Sequence, residues 1–218
     1  MAGEKASAPG PTAELEAQAR KMGVEAVAGV DEAGRGPLAG PVAAAAVVFA
    51  GAPPEIGIDD SKRLAPRLRT RLAAEIFRTA RAVGLGLAWP AEIDGLNIHR
   101  ATLLAMERAV ARLAPVRPRL LLIDGIHTTA LGVEQRTVKG GDARCLSIAA
   151  ASIVAKTARD RIMEAYERIY PGYGFGSNKG YGTARHIDAL RALGPTPIHR
   201  RTFLGRILDV RNLSGISR

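Results

Sequence analysis

Asp31 and Glu32 are adjacent carboxylates closing the apolar run Ala26–Val30, and a glycine-rich loop with one cation follows, Gly34-Arg35-Gly36-Pro37. An apolar run bounded by turn residues fits a buried strand, expected here over Val24–Val30. Carboxylate oxygens are the ligands preferred by hard divalent cations such as Mg²⁺ and Mn²⁺, with substrate phosphate often completing the shell. Backbone N–H groups of the loop could meet a phosphate or a sugar hydroxyl. Successive side chains of a strand point to opposite faces, so both acids reach one site only where the strand ends or twists. A solvated acidic pair at a strand end fits this stretch equally well.

The same logic recurs downstream. The apolar run Arg119–Ile123 ends in Asp124-Gly125, and Asp142 follows a short strand-like run, Glu134–Val138, inside the loop Lys139-Gly140-Gly141-Asp142. Sites of open α/β sheets gather at strand ends. Four converging carboxylates would repel one another, and a bound cation relieves that. Two such ions can activate water and stabilise the leaving oxygen of a phosphodiester. The net charge of +10 suits a polyanionic partner, most often nucleic acid. Acids that hold metal on a basic surface suggest a nuclease, as one option among several.

The remaining composition narrows the class. Cys145 is the single cysteine, so no internal disulfide forms, and with no histidine near it in sequence it is expected to be a structural thiol. No apolar run approaches the roughly 20 residues of a membrane helix. Met1–Thr12 lacks the basic-then-apolar order of a signal peptide. A soluble, cytoplasmic, monomeric protein is expected.

The elements that must position these residues read as α/β. Strands are expected at Val24–Val30, Pro41–Phe49, Val83–Trp89, Arg119–Ile123 and Glu134–Val138. Gly84 and Gly86 in the third suggest close approach of another backbone. Helices are expected over Pro66–Ala82, Asn97–Leu113, Leu146–Tyr170 and Thr183–Leu193, with a turn at Ala91–Gly95. Residues 1–23 read as a flexible extension with a loose helix near Ala13–Met22, 24–210 as the functional domain and 211–218 as a frayed tail. Ser61 and Lys62 precede a helix, where an N-cap and a solvated helix start is the commoner reading. Tyr181 lies in the loop Lys179-Gly180-Tyr181-Gly182-Thr183, where ring packing is the commoner reading and nucleotide stacking the alternative. His99 is expected at the surface, Lys156, Arg159 and Arg161 on a solvated face with phosphate contact for one or two, and Asp160 paired with Arg161 or a neighbour.

Asp31 to Val42 match throughout the pattern D-E-x-G-R-G-P-x-x-G-P-V, and the chain here resembles the type 2 ribonucleases H. Gly34-Arg35-Gly36 points to ribonuclease HII, since the ribonuclease HIII group has G-T-G. Further motifs follow in order: Asp60-Ser61-Lys62-Arg63-Leu64 resembles D-S-K-K-L, Ile123-Asp124-Gly125 the aspartate-glycine element, and Ser147–Asp160 the S-I-A-A-A-S-I-x-A-K-x-x-R-D helix. Lys179–Thr183 resembles K-G-Y-x-T, and His199–Phe203 resembles H-R-x-S-F with Thr202 for serine. The chain has one glycine more than the usual K-G-D, with Asp142 as the natural match.

The resemblance spans roughly residues 24–206. It implies a ribonuclease H-like mixed sheet of about five strands flanked by helices, with a helical C-terminal portion. It implies endonucleolytic hydrolysis of RNA in RNA–DNA hybrids, and cleavage 5′ of single ribonucleotides in duplex DNA, leaving 5′-phosphate and 3′-hydroxyl ends. Asp31, Glu32, Asp124 and Asp142 would hold Mg²⁺ or Mn²⁺. Gly34, Arg35 and Gly36 would meet the ribonucleotide 2′-hydroxyl, Tyr181 the following deoxyribose, and Ser61 and Lys62 backbone phosphates. Competing readings are another metal nuclease of this fold, which would lack the G-R-G and K-G-Y elements, and a non-catalytic nucleic-acid-binding protein. Asn212–Arg218 lacks an aromatic pair of the kind that docks on sliding clamps, so no such tether is expected.

Overall fold

The computed structural model describes residues 10–208 except 55, 60, 63 and 206. The expected mobile start at 1–9, the tail 211–218, and Asp60 and Arg63 lie outside the described residues. The strands are β1 (Val27–Ala33), β2 (Val42–Val48), β3 (Ala82–Ala88), β4 (Leu120–Asp124) and β5 (Glu134–Val138). The helices are α1 (Glu14–Lys21), α2 (Pro66–Thr79), α3 (Pro90–Leu96), α4 (Ile98–Ala111), α5 (Leu146–Ile169), α6 (Phe175–Asn178), α7 (Ala184–Leu193) and α8 (Arg201–Leu204). One mixed sheet runs in the order β3-β2-β1-β4-β5. The β1–β2 and β2–β3 pairs are antiparallel; β1–β4 and β4–β5 are parallel. The expected five-stranded α/β architecture is the one formed.

Both sheet faces are buried, so β2 is a continuous apolar run (Val42–Val48) and not an alternating one. On one face Val30, Ala44, Ala46 and Ile123 pack with Ala105, Met106 and Ala109 of α4. On the other, Ala45 and Val47 pack with Leu72 and Ile76 of α2 and with Ala150, Ile153 and Val154 of α5. Small residues let these helices lie close. A Cβ on Gly84 or Gly86 would stand 2.0 Å from the carbonyl oxygens of Ala109 and Ala105, as the strand glycines suggest. A Cβ on Gly29 would stand 2.1 Å from the Ser147 carbonyl carbon, so α5 is pressed onto β1 at its first turn.

Three expectations change. First, β1 does not end before the acids: Asp31 and Glu32 lie on it, paired with Ala45 and Ala44 of β2. The parallel pairing with β4 stops at Val30–Ile123, so beyond Val30 only one side of β1 is paired. Second, Ala91–Gly95 is helical, because Pro90 pre-sets the first turn of α3 and Glu92 Oε2 accepts from the Trp89 N–H at 2.9 Å. Third, α1 is docked, not loose. Its Glu16 is buried and Oε1 accepts from the Ser147 N–H at 2.8 Å and from Cys145 Sγ at 3.2 Å, supplying an acceptor for the α5 N-terminus. Burial pushes the Cys145 thiol up to about 12, consistent with a structural thiol.

Gly29→Ala is expected to be among the most damaging single substitutions in the sheet. Overpacking costs about 1–3 kcal/mol or more, and each kcal/mol lowers the melting temperature of a chain this size by about 2–4 °C. Thermal unfolding of the variant against wild type measures it; an unchanged midpoint would contradict the close approach of α5.

Candidate metal centre and nucleic-acid interface

The end of the β1–β4 pairing makes a notch at the C-terminal end of β4. Asp31 points to the α5 side of the sheet and Glu32 to the α4 side, yet each lies within electrostatic reach of Asp124 at the notch. Missing strand pairing, with no bulge or turn, is what lets acids of opposite faces share a site. Asp142 joins from a 3₁₀ turn, Gly141–Ala143, immediately before α5. The additional glycine has a use here: Gly140 takes φ 63°, and the Gly141 N–H donates to Asp124 Oδ1 at 2.6 Å. Asp142 thereby comes close enough to Asp124 to act on its ionisation.

Charge in the notch is poorly relieved. Burial first, then Glu32 and Asp124, hold the Asp31 carboxyl well above its ordinary value. Burial raises Glu32 too, against the lowering effect of Arg35, and burial together with Asp142 raises Asp124. Each carboxylate meanwhile has a partner of its own. Asp31 Oδ1 accepts from the Glu32 N–H at 2.7 Å, Glu32 lies 3.6 Å from Arg35, and Asp142 accepts from Lys62 Nζ at 2.8 Å. Among the described residues no three acids or imidazoles therefore stand in a ready ligand cage. The donor set nonetheless suits a hard cation: all oxygen, with Asp31 and Asp142 buried, Glu32 and Asp124 half-buried, and Asp31, Glu32 and Asp124 held above their ordinary values.

Above the notch the Gly34–Gly40 loop is held from below by two buried cations. Arg159, 1% exposed, donates Nε to the Pro41 carbonyl at 3.0 Å and Nη2 to Ala39 at 3.1 Å. It leaves no room for a side chain on Gly34, whose Cβ would fall 1.9 Å from Arg159 Nε. Arg200, fully buried, donates to the carbonyls of Gly40, Arg35 and Gly34 at 3.0, 2.8 and 2.5 Å. The Tyr181 ring stands beside Gly36, 3.7 Å from where a Cβ would be, with the Arg159 guanidinium 6.0 Å from its centroid. Nearly half of Tyr181 is open to solvent (47%), so the ring is not core packing.

The pattern of the family described as Ribonuclease HII matches residues 28–205, which span every element of this site. The chain belongs to the ribonuclease HII family. A ribonuclease HII of Geobacter metallireducens is 56% identical over 185 residues, covering 85% of this chain and 86% of the relative. The ribonuclease H2 of Pyrococcus horikoshii superposes with a TM-score of 0.65 at 27% identity, covering 81% of this chain and 93% of that one. Bst-RNase HIII, solved in complex with Mn²⁺, shares the fold at TM-score 0.58 and 22% identity, over 81% of this chain and 65% of that one. Membership of the ribonuclease HII family makes the chain an endoribonuclease. No helix among the described residues is long and apolar enough to cross a membrane.

Beside the notch Ser61 and Leu64 are held by Arg69, which donates to their carbonyls, both at 3.0 Å, and to Asp160 at 3.0 Å. Asp160 also accepts from Lys156 at 2.6 Å, so its partners are Lys156 and Arg69 and not Arg161. The hydroxyl of Ser61 is turned inward, 2.9 Å from Ser152 Oγ, and Ser152 in turn bonds Asp31. Ser61 therefore supports an acid more than it offers a free hydroxyl to phosphate. Lys62 turns its Nζ to Asp142 at 2.8 Å while its side chain stays 76% exposed. Sequence reasoning missed Ser152, Arg69 and Arg200, and left Arg159 on a solvated face. The signals were that Ser152 and Arg159 occupy fixed positions of the S-I-A-A-A-S-I-x-A-K-x-x-R-D resemblance and that Arg200 lies in the H-R-x-S-F one. His99 is half-buried and packs edge-on to His127, with ring centroids 4.4 Å apart.

A carboxyl raised by folding costs stability when ionised; the cost is absent below its ordinary value, 3.8 for Asp31, and complete above the raised one. Asp31→Asn, in chelator at pH 7, is therefore expected to raise the melting temperature, by about 2–4 °C per kcal/mol of relieved repulsion. The gain should vanish near pH 3.5. Calorimetry across that range checks it, and a lower midpoint at pH 7 would count against uncompensated charge in the notch.

Proposed function

We propose that the chain is a divalent-cation-dependent endonuclease that hydrolyses RNA within RNA–DNA hybrids and cuts 5′ of single ribonucleotides in duplex DNA, leaving 5′-phosphate and 3′-hydroxyl ends. The observation that carries this reading is the adjacency of two unlike parts: a notch of mutually repelling acids, and a Gly34–Gly36 loop braced by Arg200 and facing the half-open Tyr181 ring. Asp31, Glu32, Asp124 and Asp142 would hold Mg²⁺ or Mn²⁺. The cation, when bound, would supply Lewis-acid stabilisation of charge at the scissile phosphate.

The chain's own residues do the rest. Ser152 orients the Asp31 carboxylate, and the Gly141 N–H orients Asp124. Arg159 and Arg200 fix the loop carbonyls, which leaves the backbone of Gly34, Arg35 and Gly36 preorganised toward a sugar 2′-hydroxyl, the group that distinguishes RNA from DNA at one position. Tyr181 packs on the next sugar, where a further hydroxyl would fit poorly. Lys62 holds a backbone phosphate, which fixes position without reading sequence, while Ser61 braces Ser152 behind Asp31.

The deciding assay uses a labelled duplex with one ribonucleotide, beside an all-DNA duplex and a long RNA–DNA hybrid, with Mg²⁺ or Mn²⁺. One cut 5′ of the ribonucleotide, lost with chelator, is the expected result; no cutting with tight binding would favour a binding protein. Asp31→Asn should lower turnover by at least about 100-fold, the scale of losing a main electrostatic group, while hybrid binding by filter retention stays near wild type. Tyr181→Ala should reduce cleavage at a lone ribonucleotide about tenfold more than cleavage of a long hybrid, a difference of about 1.4 kcal/mol in transition-state binding. Equal losses on both substrates would remove the junction role from Tyr181.

A further inference from the structure

Two buried histidines stand outside the site as described. His186 on α7 is fully buried and His199, just before α8, is 2% exposed. They lie in an aromatic box, with the Phe175 centroid 5.3 Å from His186 and the Tyr173 centroid 5.3 Å from His199. Their Nε2 atoms are 3.1 Å apart. His186 Nδ1 is 2.8 Å from the Tyr181 carbonyl oxygen. His199 Nδ1 lies 2.9 Å from both the backbone nitrogen and Oγ1 of Thr196.

These contacts admit one neutral assignment. A carbonyl only accepts, so His186 Nδ1 carries the proton and its Nε2 is bare. The Thr196 N–H only donates, so His199 Nδ1 is bare and its Nε2 carries the proton. The His199 Nε2–H then donates to His186 Nε2, and the chain closes without a conflict. Burial lowers both imidazoles, His199 to about 4, so both are neutral near pH 7.

The chain of bonds connects the two halves of the junction-facing surface. Ala39 bridges His199, the Gly40 N–H donates to the Ile198 carbonyl at 2.8 Å, and the Arg200 N–H donates to Leu38 at 2.8 Å. The Arg200 side chain holds the carbonyls of Gly34 and Arg35. One dipeptide, His199-Arg200, thus grips the glycine loop with its cation and reaches the Tyr181 backbone through its imidazole and His186. Leaving Tyr181 half exposed places little packing around its ring, so its position depends on how its backbone is held.

We infer that His186 and His199 are positioning residues that hold Tyr181 at a fixed distance from the Gly34–Gly36 loop, and so set the preference for a lone ribonucleotide over a continuous hybrid. The inference rests on the junction role proposed above for that loop and for Tyr181. His199→Asn keeps an acceptor for Thr196 but is too short to reach His186; His199→Gln restores a donor at the Nε2 position. His186→Asn keeps the donor to Tyr181 and severs the link from the other side.

The test measures kcat/KM of the full chain with Mg²⁺ on a duplex carrying one ribonucleotide and on a long hybrid, with melting temperatures alongside. In His199→Asn and His186→Asn the ratio of the two values should fall about tenfold, within the range for a sub-ångström to 1 Å misplacement, and His199→Gln should recover most of it. An unchanged ratio in both asparagine variants, with wild type cutting both substrates, overturns the inference alone. A wild type that never cuts at a lone ribonucleotide overturns the functional reading and this one with it. Should the variants unfold, imidazole ¹⁵N NMR of the wild type decides: a proton on His186 Nδ1 and on His199 Nε2 at pH 7 supports the link, and any other pattern removes it.

Discussion

The approach of α5 to β1 at Gly29 is the contact on which the site depends. With no side chain at that point, helix and strand backbones lie closer than ordinary helix-on-sheet packing allows. The same helix then carries Ser152 up to Asp31, and two turns later Arg159 under the glycine loop. Asp142, placed immediately before the helix, is set by where the helix begins, and Glu16 of α1 caps that beginning. A shift of α5 outward by the width of a methyl group would separate all of these from the notch at once. Stability and site geometry are therefore the same contact seen at two ends of one helix.

The notch itself comes from sheet topology. β1 has an antiparallel neighbour that continues beside Asp31 and Glu32, and a parallel neighbour that stops pairing at Val30. Side-chain alternation would ordinarily separate two consecutive acids onto opposite faces. Because β4 and β5 both end at that level, β1 is left as an edge there, the separation is short and Asp124 can face both. A pair of carboxylates in this position is costly to ionise, and the fold tolerates the cost by giving each a local donor or cation.

Much of this was legible in the sequence. The strand pattern, the small-residue helix and the three acids at Asp31, Glu32 and Asp124 are local signals: apolar runs with carboxylates at or near their ends. The end of β1 was misplaced because its boundary is set by the partner β2, which no local pattern reveals. Arg159 was read as solvated because its helix positions carry charge in sequence; its burial follows from a loop 120 residues away folding over it. Arg200, Ser152 and the His186–His199 pair were illegible for the same reason. Each acts on backbone or side-chain groups that only tertiary contact supplies, and the residue types alone do not distinguish a buried guanidinium from a surface one.

Arg159 and Arg200 have one more consequence. Both are sunk beneath the glycine loop and are hydrogen-bonded to carbonyl oxygens. Burial lowers both, Arg200 to about 9, which leaves Arg200 charged near neutral pH. Mobile ions cannot enter the space around them, so the potential they cast through the loop is screened less than that of an exposed cation. The surface lysines and arginines lose their pull on a polyanion as ionic strength rises. The contribution of Arg159 and Arg200 at the Gly34–Gly36 loop falls off less with salt, and a phosphate held there is acted on by charges it never touches.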